Sequence, residues 1–273
     1  MPSNRRTTEP KIIAIANQKG GVGKTTTTIN LGAALAERGK RVLLIDLDPQ
    51  GNASTGLGLE REQRENTTYE VLAGEVTLEE AIHETSIAHL HLVPATTDLS
   101  SADVELADNA RRAHLLKAAF AAAEVRRDFD FILIDCPPSL NILTVNAMVA
   151  ADSIIVPLQS EFFALEGLSQ LILTVRDLRQ SANPDLKIDG IVLTMYDRRN
   201  NLSQQVEEDA RENMGDLVFK TVIPRNVRVS EAPSFAMPVL TYDPASKGSD
   251  AYRSLAREVI LKTNRERAPR NVA

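Results

Sequence analysis

The 273-residue chain contains no tryptophan, and aromatic residues make up only 4% of it. Aromatic-lined grooves for single-stranded nucleic acid or glycans are thereby excluded as its main binding device, because such grooves stack each base or ring on an aromatic face. Cysteine occurs once, as Cys136. A single thiol allows no internal disulfide framework and no metal or iron–sulfur centre built from several cysteines of one chain, and it fits a reducing compartment. No stretch approaches the ~20 apolar residues of a membrane span. The first ten residues, MPSNRRTTEP, lack the apolar core of a secretion signal, so a cytoplasmic protein is expected. A basic excess is missing too: 31 Lys plus Arg face 37 Asp plus Glu, for a formal net charge of −6. That balance excludes coating nucleic acid by bulk charge and leaves room for a local basic face.

With 43% hydrophobic and 25% charged residues, the chain has the composition of a globular protein that buries a full core. Short apolar, β-branched runs at 11–17, 41–46, 89–94, 129–135, 153–157 and 187–194 read as strands covered on both faces, with a shorter one near 218–223. Amphipathic segments at 24–38, 113–126, 165–180, 203–213 and 249–262 read as helices. Alternation of this kind predicts an α/β fold: a single-domain, doubly wound, mostly parallel sheet. Residues 1–10 are expected to form a disordered arm, 11–263 the domain, and 264–273 a basic, disordered tail.

The segment after the first strand carries the chemistry. It reads Gln18-Lys19-Gly20-Gly21-Val22-Gly23-Lys24-Thr25-Thr26. Glycines let the backbone wrap a phosphate with its N–H groups, and the helix opening at Lys24 adds partial positive charge. Lys24 is placed to meet the β- and γ-phosphates of a nucleotide, and the Thr25 hydroxyl to ligate Mg²⁺. The pattern GxxxxGK[ST] asks for glycine at position 18, where Gln18 stands; in exchange Lys19 opens the loop. Two strands end in carboxylates, Asp46-Leu47-Asp48 and Asp135-Cys136-Pro137-Pro138. In a parallel sheet these lie at the edge where ligands bind. Asp135 therefore reads as the carboxylate that holds Mg²⁺ through water, and Asp46 as a supporter of the Mg²⁺ shell or of the loop.

The run KGGVGKTT is the deviant Walker A motif, and with it the chain resembles the ParA/MinD group of P-loop ATPases. The resemblance spans nearly the whole chain through Thr144-Val145-Asn146-Ala147, Pro157-Leu158-Gln159-Ser160-Glu161-Phe162-Phe163-Ala164-Leu165-Glu166-Gly167, Leu193-Thr194-Met195-Tyr196-Asp197-Arg198-Arg199 and 222–234. These segments look like the chromosomal ParA (Soj-like) partitioning ATPases. The resemblance implies a P-loop NTPase-like fold and ATP hydrolysis with Mg²⁺, slow until a partner stimulates it. It implies that Lys19, Gly20, Gly21, Val22, Gly23, Lys24, Thr25 and Thr26 hold ATP, with Pro224 and Asn226 at the adenine. It further implies that Asp48 orients the attacking water and that Lys19 reaches across an ATP-sandwiched homodimer into the partner's site. Gly20 and Gly21 mark where the two subunits approach.

The same family binds double-stranded DNA without sequence preference, and Arg199 and Arg228 match its DNA-binding positions; Arg225, Lys247 and Lys262 are further candidates. The resemblance implies a nucleoid-associated protein with a ParB-like, centromere-binding partner. Only about ten residues precede the first strand, so no helix-turn-helix extension for operator binding is expected. A membrane-associated, MinD-like division regulator is the first rival, but residues 263–273 hold no large apolar residue beyond one Val. A metabolic ATP-dependent ligase or an iron–sulfur reductase component on the same fold is the second; the reductase would need two cysteines per subunit. His83, His89, His91 and His114 show no metal-ligand spacing, and His89 and His91 are expected on the surface beside the sheet edge.

Overall fold

A computed structural model describes residues 9–105, 109–161 and 164–268. Most of the expected arm, the last five residues of the expected tail, and Phe162 and Phe163 lie outside the described residues. Among those described, the strands are β1 (Lys11–Ile15), β2 (Val42–Asp46), β3 (His83–Glu84), β4 (Leu90–Val93), β5 (Phe131–Asp135), β6 (Ser153–Gln159) and β7 (Lys187–Thr194). The helices are α1 (Lys24–Glu37), α2 (Asn52–Gly56), α3 (Thr68–Ala73), α4 (Ala102–Glu105), α5 (Leu115–Ala122), α6 (Ile142–Ala150), α7 (Ala164–Ser181), α8 (Asn201–Met214), α9 (Val227–Glu231), α10 (Val239–Tyr242) and α11 (Lys247–Arg267).

The strands form one sheet in the order β3-β4-β2-β5-β1-β6-β7. All neighbours run parallel except the short edge strand β3. Alternate residues of each central strand face opposite layers. Ile12 and Ala14 of β1 join Leu43 and Ile45 of β2 in one core, with Leu116, Leu143 and Leu168 from α5, α6 and α7. Ile13 and Ile15 join Val42 and Leu44 in the other, with Leu31, Tyr252 and Leu255 from α1 and α11. Apolar side chains on both faces of a strand require a helical layer on each side, and the near-continuous hydrophobic runs record that. The doubly wound parallel sheet is thus as expected from the sequence.

Three expectations need correction. The stretch 218–223 makes no strand; it meets the sheet at isolated points, a bridge from Val218 to Ile191 and the N–H groups of Phe219 and Ile223 donating to Ile191 O and Leu193 O at 2.9 and 2.8 Å. The reason is a competing acceptor: the Glu258 carboxylate of α11 takes the N–H groups of Lys220 and Thr221, at 2.9 and 2.8 Å. The segment 113–126 is not one helix but α5 flanked by two short 3₁₀ turns, Arg112–His114 and Val125–Asp128. Finally, α11 continues past residue 263 to Arg267. Its last turn is anchored, because Glu266 receives Lys11 at 3.0 Å and Lys187 at 2.5 Å, and Arg267 donates to the Glu9 carbonyl at 2.6 Å. His91 also differs from expectation. It sits on β4, inside the β3 edge, half-buried with its ring edge-on to Phe129, and that burial pushes its pKa down.

A phosphate cradle and two carboxylates at the carboxyl edge of the sheet

The loop between β1 and α1 is a cradle with few side chains. Gly21 and Gly23 hold positive φ, +72° and +87°, in the left-handed region that suits glycine. Gly23 caps α1 without any side-chain hydrogen bond, so the first-turn N–H groups stay available to an anion. The cradle is braced from across the sheet. Thr194, at the end of β7, donates to the Val22 carbonyl at 2.8 Å. Asn17 donates to Pro157 O at 2.8 Å and accepts the Lys19 N–H at 3.0 Å. Alongside, a cavity of about 290 Å³ is lined by Thr25, Thr26, Asn52, Thr55, Pro233 and Met237, among others.

Lys24 is buried, and its Nζ folds back to donate to the Lys19 carbonyl at 2.9 Å. Burial lowers its pKa, and the charge of Asp135 is the largest influence opposing that shift. An ammonium held this way lacks a full anionic partner, which is the state a phosphate would complete.

The carboxylates arise from strand register. Asp46 of β2 pairs directly with Asp135 of β5, and both are fully buried. Burial and then the charge of Asp46 push the Asp135 pKa up. Thr28 of α1 donates to Asp135 Oδ1 at 2.9 Å, while Asp135 Oδ2 is buried with no hydrogen-bond partner. An orphaned, buried carboxylate oxygen beside a phosphate loop is the feature a metal-bound water would satisfy. Among the described residues no cluster of three or more His, Cys, Asp or Glu could hold a metal. The orphaned Asp135 oxygen and the Thr25 hydroxyl at the mouth of the cradle suit Mg²⁺, which keeps most of its waters and leans on few protein oxygens and on substrate phosphates.

Asp46 is not a free metal ligand. Its Oδ1 accepts the Asp48 N–H at 3.2 Å, and its Oδ2 accepts both the N–H and the hydroxyl of Ser54, at 2.8 and 2.6 Å. Both carboxylate oxygens are thus engaged within the chain, one in the Asp48 turn and one on Ser54. Asp48 follows two residues on, also buried, with Oδ1 accepting the Gln50 N–H at 3.0 Å.

Pro224 and Asn226 lie on the segment between α8 and α9, which is tied to the residues just past β7 by Tyr196 N–H to Ile223 O and Arg225 N–H to Tyr196 O, each 3.0 Å. Asn226 caps α9, its Oδ1 accepting the Arg228 N–H at 2.8 Å. Lys19 sends its ammonium away from its own loop, to Glu161 Oε2 at 3.0 Å, and is 38% exposed.

The expected DNA-facing residues lie apart from this buried cluster, and they are not alike. Arg199 is 90% exposed and forks onto Asp197, Nε and Nη2 each 3.1 Å from its oxygens. Arg228 pairs with Glu231 at 3.0 Å and Asp243 at 3.3 Å. Arg225 and Lys247 are exposed. Lys262 donates to the Asp189 carbonyl, and its ammonium lies 5.7 Å from the centre of the Phe219 ring.

Sequence reasoning missed Thr28, Ser54, Thr194 and Arg64. Thr28 was findable, being one helical turn after Lys24 on the same face. The other three reach the site from elsewhere in the chain; Thr194 lies in the segment 193–199 that carries the resemblance, whereas Ser54 and Arg64 carry no motif.

The protein family described as an AAA domain matches residues 10–188. The chain is 60% identical over 252 residues to the chromosome partitioning protein ParA of Caulobacter vibrioides strain NA1000, covering 92% of this chain and 94% of that one. It is 52% identical over 249 residues to the sporulation initiation inhibitor protein Soj of Bacillus subtilis, covering 91% and 98%. Among solved structures, it resembles a cobyrinic acid a,c-diamide synthase from Mycobacterium smegmatis with bound ADP and magnesium, with a TM-score of 0.82 and 40% identity over 94% of this chain and 97% of that one.

Proposed function

The chain belongs to the ParA/Soj family of chromosome-partitioning ATPases and uses ATP with Mg²⁺, and from that premise we propose that it is an ATP-gated, dimerising DNA switch. Phosphoryl transfer to water asks little covalent chemistry of a protein, so its residues act by position and charge. The backbone from Gly20 to Thr26 and the Lys24 ammonium bind the β- and γ-phosphates. The Thr25 hydroxyl and a water on Asp135 hold Mg²⁺, which when bound neutralises phosphate charge. Asp48 accepts a hydrogen bond from the attacking water and aligns it with the γ-phosphorus. Pro224 and Asn226 flank the adenine, and the unit that does this work spans residues 11 to 267.

The observation that carries the dimer reading is the divided use of Lys19. Its carbonyl serves its own loop by accepting Lys24, while its ammonium points outward to an exposed carboxylate. A cation placed at the rim, off its own phosphate loop, suits a site completed by a second copy. Arg199 and Arg228, with Arg225 and Lys247, then bind DNA phosphates irrespective of sequence, and pairing two such faces multiplies the contacts on one duplex. A ParB-like, centromere-binding protein stimulates hydrolysis and so releases the dimer.

The test is binding to a non-specific duplex with ATP, ADP or no nucleotide across a salt series. Binding with ATP alone, falling steeply with salt and tracking dimer formation, is the expected result. Equal binding in all three states removes the switch. A turnover product other than ADP and phosphate removes the partitioning role.

A further inference from the structure

A buried guanidinium lies beneath the Asp48 turn, and none of the steps above uses it. Arg64 is 8% exposed. Its Nη1 donates to Ala95 O at 2.9 Å, its Nη2 to Thr55 Oγ1 at 2.7 Å and Leu59 O at 3.0 Å, and its Nε to Leu59 O at 3.1 Å. These partners are two carbonyls and a hydroxyl, with no carboxylate. A buried cation whose hydrogen bonds all go to neutral acceptors, with the Asp46 carboxylate acting on it only through space, is a costly arrangement, tolerated where its geometry is needed.

That geometry bears on Asp48. Three separate stretches of chain converge on the guanidinium: α2 through Thr55, the loop after it through Leu59, and the end of β4 through Ala95. Gly51 rests on it, at φ +61°; a Cβ there would lie 2.2 Å from Arg64 Nη1 and 2.9 Å from Ala95 O. Gly51 closes the Asp48 turn, its N–H donating to Asp48 O at 2.8 Å. From the other side Asp46 holds the Asp48 N–H, and Ser54 links Asp46 Oδ2 to the Ala95 N–H. The turn is thus clamped between a carboxylate and a guanidinium, and both fasten to Ala95.

We propose that Arg64 is a positioning residue for ATP hydrolysis, fixing the Asp48 carboxylate through Gly51 and Thr55 without touching the substrate. The proposal rests on the reading of Asp48 as the water-orienting group. A planar fork spans three acceptors at once, whereas lysine in the same place offers one nitrogen. A displacement of the order of 1 Å at a reacting group can cost about 100-fold in rate, so a partial loosening should cost about 10-fold.

The experiment is a double-mutant cycle on the full chain with Mg²⁺-ATP, reading kcat, KM, fluorescent-nucleotide affinity and Tm for Arg64→Lys, Asp48→Ala and the pair. Arg64→Lys should lower kcat about 10-fold with nucleotide affinity within about twofold, and should change the residual turnover of Asp48→Ala less than about twofold. Unchanged kcat in Arg64→Lys overturns the proposal. So do affinity and kcat falling together, or effects that multiply in the pair. If Asp48→Ala alone turns over like the parent chain, the Asp48 reading fails first and takes this one with it. A slow Asp48→Ala beside a normal Arg64→Lys removes only the role of Arg64. Should Arg64→Lys fail to fold, Thr55→Val removes one acceptor of the fork at an exposed position. It should lower kcat about threefold at unchanged affinity, and no change in kcat overturns the proposal.

Discussion

The nucleotide edge and the arginine face handle charge in opposite ways. At the edge, Lys24, Asp46, Asp48 and Asp135 are all buried, and two of them are fixed from other elements, Asp135 by Thr28 and Asp46 by Ser54, while Thr194 braces the loop carbonyl of Val22. On the face, Arg199 is 90% exposed and its partner is two residues away. Buried charge interacts strongly and is screened little, so each atom there matters and the fold must place it. Exposed charge is worth little singly and is screened by salt, so it acts by number. On the proposed reading, a protein of net charge −6 would hold DNA only where a few arginines gather, and two such faces would serve better than one.

The largest expected effect is at the most buried cation. Lys24→Ala should weaken ATP binding about 100-fold, because a charge-assisted contact in a dry pocket is lost with no water to replace it. Fluorescent-nucleotide titration checks this; retention of affinity within about threefold would place the phosphates elsewhere. Next comes Asp48→Ala, which should bind ATP normally and lose about 100-fold in turnover, accumulating as the ATP dimer in light scattering. The two variants sharpen the contrast within the edge itself, one group serving binding and the other serving rate.

How far this was readable from the sequence follows the same division. The phosphate loop was legible because its parts are contiguous: strand, glycines, Lys24, Thr25 and helix lie within one short run. Asp135 was legible as a strand-end carboxylate. The occupation of Asp46 by Ser54, eight residues on, was not, nor was the clamp of Arg64 against Gly51 and Ala95. Those depend on how α2 folds back under the sheet edge, and no local period encodes it. The strand expected at 218–223 failed for a related reason: its apolar pattern was right, yet a single side chain from α11, Glu258, captured the N–H groups a ladder would have used. On the arginine face the sequence placed Arg199 and Arg228 without revealing that each is paired. Nor did it show that Lys262, a further candidate, reaches the Asp189 carbonyl and the Phe219 ring.

Between the two regions stands Lys19, half in each. Its ion pair with Glu161 is exposed, so breaking it costs little, and the ammonium is free to move to a partner. Lys19→Gln should leave nucleotide affinity within about twofold while weakening ATP-dependent dimerisation about 10-fold, measured by sedimentation. A variant that dimerises and hydrolyses normally would assign Lys19 to its own protomer's loop alone.

The smallest effect is the one that decides how the arginine face works. Arg199 donates to both oxygens of Asp197, whose Oδ1 also accepts the Arg199 N–H at 3.0 Å. The Asp197 carboxylate is held below its usual pKa range by these bonds, so it stays charged at neutral pH. Two consequences are conceivable, and they have opposite signs. If Asp197 masks the guanidinium, Asp197→Asn frees a cation, and affinity for a duplex rises about threefold at low salt. The slope of log K against log salt then steepens by about one unit per freed arginine engaged. If Asp197 instead holds Arg199 out toward the phosphates, the same variant binds more weakly and the slope flattens. Asp216→Asn makes the same change in net charge at an exposed position, and should alter affinity less than about 1.5-fold and the slope not at all. Masking is the expected outcome, because a bidentate pair already satisfies the donors that DNA phosphates would need. DNA must then displace a carboxylate at Arg199 and at Arg228, which pairs with Glu231 and Asp243. That cost falls equally on monomer and dimer contacts, whereas the gain from a second face accrues only to the dimer, and so masking sharpens a switch that exposed arginines alone would leave leaky.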